Sequence, residues 1–70
     1  MKIYYADNLQ ETTVSLLVDP NDQIYKVKEK IQEIEDIPPV QQRLLLGEEQ
    51  LKDWRTLSDY NIGSRTPLVL

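Results

Sequence analysis

The sequence predicts an α+β domain in which one amphipathic helix packs across a sheet of four to five strands. Ile24, Val27, Ile31 and Ile34 recur at intervals of three and four, which sets one apolar stripe along a single helix. The remaining apolar residues stand in short alternating runs, the period of half-buried strands. Helix and sheet each have one apolar face to remove from water, so each covers the other.

Seventy residues suffice for one compact core, and residues 1–70 are read as one domain. The absence of cysteine and histidine leaves neither a disulfide framework nor a typical zinc site, so stability must come from packing. Eight basic residues lie scattered among twelve acidic ones, for a net charge of -4. That distribution argues against nucleic-acid binding, which needs concentrated positive charge. No apolar run approaches the length of a membrane span, and the N-terminus has no secretory leader. A monomer in the cytoplasm, and also in the nucleus, is the expectation.

Met1 to Ala6 reads as a first strand with Met1, Ile3 and Tyr5 facing one way and Lys2, Tyr4 and Ala6 the other. Asp7 to Glu11 is a polar connection carrying Leu9, either an isolated surface side chain or part of a contact surface. A connection this short suits an antiparallel return over Thr12 to Val18, with Val14, Leu16 and Val18 inward and Leu17 outward. Asp19-Pro20-Asn21-Asp22 has turn chemistry, and Asn21 or Asp22 is placed to cap a helix running from Gln23 to Asp36. Ile37-Pro38-Pro39 stops that helix, because proline lacks an amide donor and pushes its predecessor out of helical geometry. Lys28 lies beside the apolar stripe; spacing alone favours a solvated lysine over one that buries its stem and pairs with an acid.

Gln41 to Leu46 reads as a third strand, Gly47-Glu48-Glu49 as a turn, and Gln50-Leu51 as a very short strand. Leu57, Tyr60 and Ile62 mark a compact segment, and Pro67 to Leu70 a final strand with Leu68 and Leu70 inward and Val69 outward. The last strand must pair with the first if its apolar side is to be covered.

Nothing in the residue inventory supports catalysis. Ser15, Ser58 and Ser64 have no histidine or cysteine to activate or replace them. The aspartates at 7, 19, 22, 53 and 59 lack the spacing of a calcium loop, and Gly47 and Gly63 belong to no phosphate cradle. Glu48-Glu49 and Glu33 with Glu35 are better explained as solvated charge than as acid/base pairs. Neither cofactor nor metal is expected, and binding is the remaining class.

Ile37-Pro38-Pro39, Gln41-Gln42-Arg43-Leu44, Gln50-Leu51 and the run Arg55 to Ile62 stand in register with Met1-Lys2-Ile3, Val27-Lys28 and Lys30-Ile31-Gln32. Over essentially its whole length the chain therefore resembles the ubiquitin family. The resemblance implies a β-grasp fold, with a mixed sheet and parallel first and last strands. It also implies a pairing of Lys28 with Asp53. Leu9, Leu45 and Val69 match the family's principal interaction patch, bordered by Ala6, Arg43, Glu49 and Gln50. Tyr4, with Lys2 nearby, resembles a smaller second patch, or is simply an aromatic suited to a strand. Trp54 stands where the family has glycine and either covers the surface around Lys28 and Asp53 or forms a distinct binding feature.

Several departures bear on function. Val69 replaces a family histidine, and Glu48 and Glu49 replace glycine and lysine, so partners selected for a basic rim meet repulsion. Of the family's chain-building lysines only those matched by Lys28 and Lys30 remain, with Ala6, Thr12, Ile34, Glu49 and Ser64 at the other positions. The sequence ends at Leu70 without the family's diglycine tail. Glu11 and Asp36 occupy glycine positions, and the first hairpin carries one additional residue. The expectation is a non-catalytic interaction domain that recruits ubiquitin-recognising or proteasomal proteins. The alternatives are a protein modifier whose tail lies beyond Leu70, and a domain that packs within its parent through Leu17, Ile34 or Trp54.

Overall fold

Period-two alternation builds the first hairpin. In the computed structural model, which describes residues 1–7 and 12–70, β1 (Lys2–Asp7) and β2 (Thr12–Leu17) pair antiparallel. Ile3, Tyr5 and Leu16 are buried, and Leu17 is exposed as its parity requires. Met1 differs from expectation: it is 40% exposed rather than packed with Ile3 and Tyr5. Asp7 differs too, since the ladder runs on to a pair between Asp7 and Thr12. The alternation that buries Ile3 and Tyr5 then turns Asp7 inward, to 2% exposure.

The helix α1 (Ile24–Glu35) buries Ile24, Val27, Lys28 and Ile31. Ile34, expected to complete the stripe, is 53% exposed. One position later Glu35 is half-buried and accepts a 2.9 Å hydrogen bond from the Tyr5 hydroxyl, so the helix closes its inner face with a polar contact. The expected side-chain cap from Asn21 or Asp22 is also replaced. Gln23 holds the cap position without a side-chain bond, while the amides of Ile24 and Tyr25 donate to the carbonyls of Arg55 and Asp53 at 2.8 and 3.1 Å. The Asp22 carboxylate accepts from the Asp19 amide within the turn instead. At the other end Asp36 adopts the left-handed conformation (φ 60°), and its amide donates to Gln32 O.

Residues 53–58 are laced to the start of the helix by two further bonds, Leu57 N–H to Asp22 O and Ser58 N–H to Pro20 O. Thr56 and Asp59 stiffen this segment reciprocally: the Thr56 amide donates to the Asp59 carboxylate, and the Asp59 amide to the Thr56 hydroxyl. The bond from the Thr56 amide, aided by the Thr56 hydroxyl, holds the Asp59 carboxyl below its usual range.

The expected third strand shortens to β3 (Leu45–Leu46), because Pro39–Gln41 forms a 3-10 turn and Gln42 is drawn inward. The Gln42 side-chain amide donates to the carbonyls of Lys28 and Ile37, both at 2.8 Å, tying this stretch to the helix rather than to a neighbouring strand. Gly47, at φ +62°, turns the chain into β4 (Glu49–Gln50), one residue earlier than expected. The last strand, β5 (Pro67–Val69), pairs parallel with β1 and antiparallel with β3. The resulting order β2-β1-β5-β3-β4 is the mixed five-stranded sheet of a β-grasp, with α1 packed across it. The core joins Ile3, Tyr5 and Leu16 to Ile24, Val27, Ile31, Leu44, Leu57 and Leu68.

A candidate protein-docking face on the sheet

Placing β5 between β1 and β3 assembles a row of side chains from separate parts of the chain. Ala6 stands opposite Val69, Val69 opposite Leu45, and Leu45 opposite Gln50. Directly opposed residues share a face, so the row crosses β1, β5, β3 and β4 on the side away from the helix. Parity confirms the side: Tyr5, Leu68 and Leu44, each adjacent in sequence to a member of the row, are buried in the core. Ala6, Leu45 and Val69 are half-buried, and Gln50 is exposed. Thr13, opposite Ala6, extends the row onto β2.

Arg43 is exposed two residues before Leu45, and Glu49 is exposed opposite Leu46, one register position off the row. Leu9 lies outside the described residues. Lys2 and Tyr4 share the outer face of β1 with Ala6; Tyr4, 40% exposed, stands opposite Ser15 on β2 and Pro67 on β5. Trp54 sits apart from them in the loop that caps the helix, where its carbonyl accepts a 3.3 Å bond from the Gln23 side-chain amide.

Lys28 is not a solvated lysine. Its ammonium lies 2.7 Å from the Asp53 carboxylate, with the lysine side chain 4% and the aspartate 46% exposed. The capping bond from Tyr25 to Asp53 O explains the geometry, since it fixes the Asp53 backbone one helical turn before Lys28.

Sequence reasoning missed a polar cluster beneath the sheet end, where Tyr5, Asp7 and Glu35 meet. Burial, then the hydrogen bond to Glu35, pushes the Tyr5 hydroxyl far above its usual range. Burial, then the neighbouring Asp7 carboxyl, raises Glu35, while the Tyr5 bond acts in the opposite direction. Reading Glu35 as plain solvated charge is therefore corrected. Two signals were available in the sequence: an inward tyrosine needs a partner for its hydroxyl, and strand alternation carries Asp7 inward.

The outer row offers aliphatic groups and a carboxamide, with Arg43 exposed two residues before Leu45 and Glu49 one position out of register with the row. Such a surface can cover a partner's apolar side chains and select among rims by charge. Among the described residues no group of three His, Cys, Asp or Glu side chains is placed to hold a metal, and no helix is long and apolar enough to cross a membrane.

The model of the ubiquitin family matches residues 6–70. The chain is 44% identical over 59 residues to ubiquitin-like protein NEDD8 of Dictyostelium discoideum, covering 81% of this chain and 77% of that protein. It is 41% identical over 59 residues to ubiquitin-like protein 1 of Schizosaccharomyces pombe, covering 81% and 76%. It is also 38% identical over 66 residues to AN1-type zinc finger protein 4 of Mus musculus, covering 94% of this chain and 9% of that protein.

Proposed function

The chain belongs to the ubiquitin family and is a non-catalytic protein-interaction domain; from that premise we propose that its sheet face recruits ubiquitin-recognising or proteasomal proteins. The observation that carries the proposal is the row Ala6, Val69, Leu45, Gln50, which four strands align on the face opposite the core. A rigid sheet presents these groups already in place, so a partner helix or small module meets little ordering cost on this side. Leu45 and Val69 supply the apolar centre, to which the family resemblance adds Leu9. Ala6, Arg43, Glu49 and Gln50 form its border, and the acidic pair Glu48-Glu49 biases the choice toward partners with basic rims. The similarity to one short stretch of a much longer zinc finger protein supports a built-in recruitment domain.

Titrating an isolated ubiquitin-interacting helix into the chain and its Leu45→Ala variant tests the proposal. Loss of a central aliphatic anchor weakens binding by about tenfold or more. Equal affinities for the two proteins would remove Leu45 from the site and with it the proposed face.

A second reading, a covalent modifier, draws support from relatives little longer than the chain itself, which spans 77% and 76% of two of them. Mass analysis of the endogenous product separates the two: linkage through a terminal glycine favours the modifier, and a long continuation after Leu70 favours recruitment.

A further inference from the structure

Away from the sheet face, two of the most exposed apolar side chains among the described residues border a single cleft. Val40 is 86% and Trp54 67% exposed, and both line a cleft of about 450 Å³ together with Pro39, Lys28, Lys52 and Asp53. That volume lies within the range of sites that hold small ligands or a few residues of peptide. Neither Val40 nor Trp54 takes part in the hydrophobic core. About two thirds of the Trp54 surface is left open to solvent, whereas a large indole ordinarily lies at least partly against other apolar groups.

The charges around the cleft are unequal. Lys28 and Lys52 face one acid, Asp53, and the 2.7 Å pair between Lys28 and Asp53 neutralises two of the three. Lys52 is left over, its ammonium 5.7 Å from the centre of the Trp54 ring. A positive site beside an exposed indole thus sits on a chain whose net charge is -4. A ligand with an apolar side chain next to a carboxylate complements both features, while the acidic remainder of the surface disfavours it elsewhere. Gln50, on β4, lines the same cleft and adds a carboxamide to it.

We propose that this cleft docks an extended acidic peptide segment, seating an apolar side chain against Trp54 and Val40 and a carboxylate beside Lys52. The cleft meets the row through Ala6, Val69 and Leu45 at Gln50, which lines the one and ends the other.

Trp54 is the sole tryptophan of the chain, so its fluorescence reports the cleft directly. The probe is the synthetic peptide acetyl-Asp-Glu-Leu-Leu-Asp-Glu-amide, which carries no aromatic group, compared with a version in which lysine replaces every acid. The acidic peptide should give a saturable change in Trp54 emission and shift the backbone amide resonances of Val40 and Lys52; the basic one should give neither. Lys52→Glu should raise the midpoint about fivefold or more, since it replaces an attraction with a repulsion at an exposed site, while Leu17→Ala, an exposed change on β2, should leave it unchanged. Equal responses to the two peptides, no saturation with the acidic one, or a midpoint indifferent to Lys52→Glu would each overturn the proposal.

Discussion

Leu45 and Val69 face each other across the ladder between β3 and β5, and this single antiparallel pair joins two distant runs of the chain into one apolar surface. Opposed side chains on one sheet face contribute about 0.2 to 1 kcal/mol relative to alanines. A double-mutant cycle of Leu45→Ala and Val69→Ala, read by urea denaturation, should show a coupling of that order. Strict additivity would mean that the two side chains do not support each other.

Leu68 alternates with Val69 on β5 and is 2% exposed, whereas Leu17 is 74% exposed. Leu68→Ala should therefore cost about 2 to 5 kcal/mol, and Leu17→Ala about 0.5 kcal/mol or less. Denaturation midpoints of the two variants check this, and similar losses at both positions would contradict the assigned parity.

The Lys28–Asp53 pair makes an asymmetric prediction. Removing Asp53 leaves an ammonium buried without its partner, at a cost of about 1 to 3 kcal/mol, moderated because water reaches the half-exposed acid. Lys28→Met retains the apolar stem and leaves a carboxylate that solvent can satisfy. Asp53→Ala should accordingly be the more damaging change in thermal denaturation; the reverse order would show that the lysine stem, not the charge, matters most.

Glu35 ties stability to pH. Its carboxyl is raised from the ordinary 4.5 by burial first and by Asp7 second, so the folded state holds this proton more readily than the unfolded chain. The resulting contribution is fully present below the unfolded pKa and is lost as pH rises through the higher folded value. Glu35→Gln keeps an acceptor for the Tyr5 hydroxyl and gives the Asp7 carboxylate a donor. It should raise the denaturation midpoint at about pH 7 and flatten the profile above about pH 4. Asp59, whose carboxyl is lowered, acts with the opposite sign in both proteins and cancels in the comparison. Parallel profiles would leave Glu35 with no part in the pH response.

Asp36 caps the helix at φ 60°. An L-residue carries strain there that glycine avoids, so Asp36→Gly should stabilise the fold by about 1 kcal/mol. Equilibrium unfolding measures the difference, and a loss of stability would show that the aspartate offsets its strain with a local contact.

Local patterning made much of the fold legible. Period two set the faces of β1 and β2, including the outward Leu17, and the double proline ended α1 where expected, because alternation and missing donors act within a few residues. The same reasoning failed where distant segments compete for one position. Ile34 has the spacing of a core residue, yet Glu35 takes the inner place by meeting Tyr5. Gln41 to Leu46 alternates like a strand, yet the Gln42 side chain holds its first part to the helix. Asn21 and Asp22 have cap chemistry, yet the carbonyls of Asp53 and Arg55 satisfy the helix amides.

By itself the sequence determined one helix, a leading hairpin and a stop at Pro38, since these depend on side-chain types and spacings over a turn or two. Its family resemblance supplied the strand order and pointed to Leu45, Val69 and Asp53. Only the tertiary structure decided that Ala6, Val69, Leu45 and Gln50 form one continuous row, that Lys28 is buried against Asp53, and that Trp54 and Val40 border one cleft. The physical reason is that each of these depends on the register and closure of segments far apart in the chain, and periodicity within a segment cannot encode how it meets another.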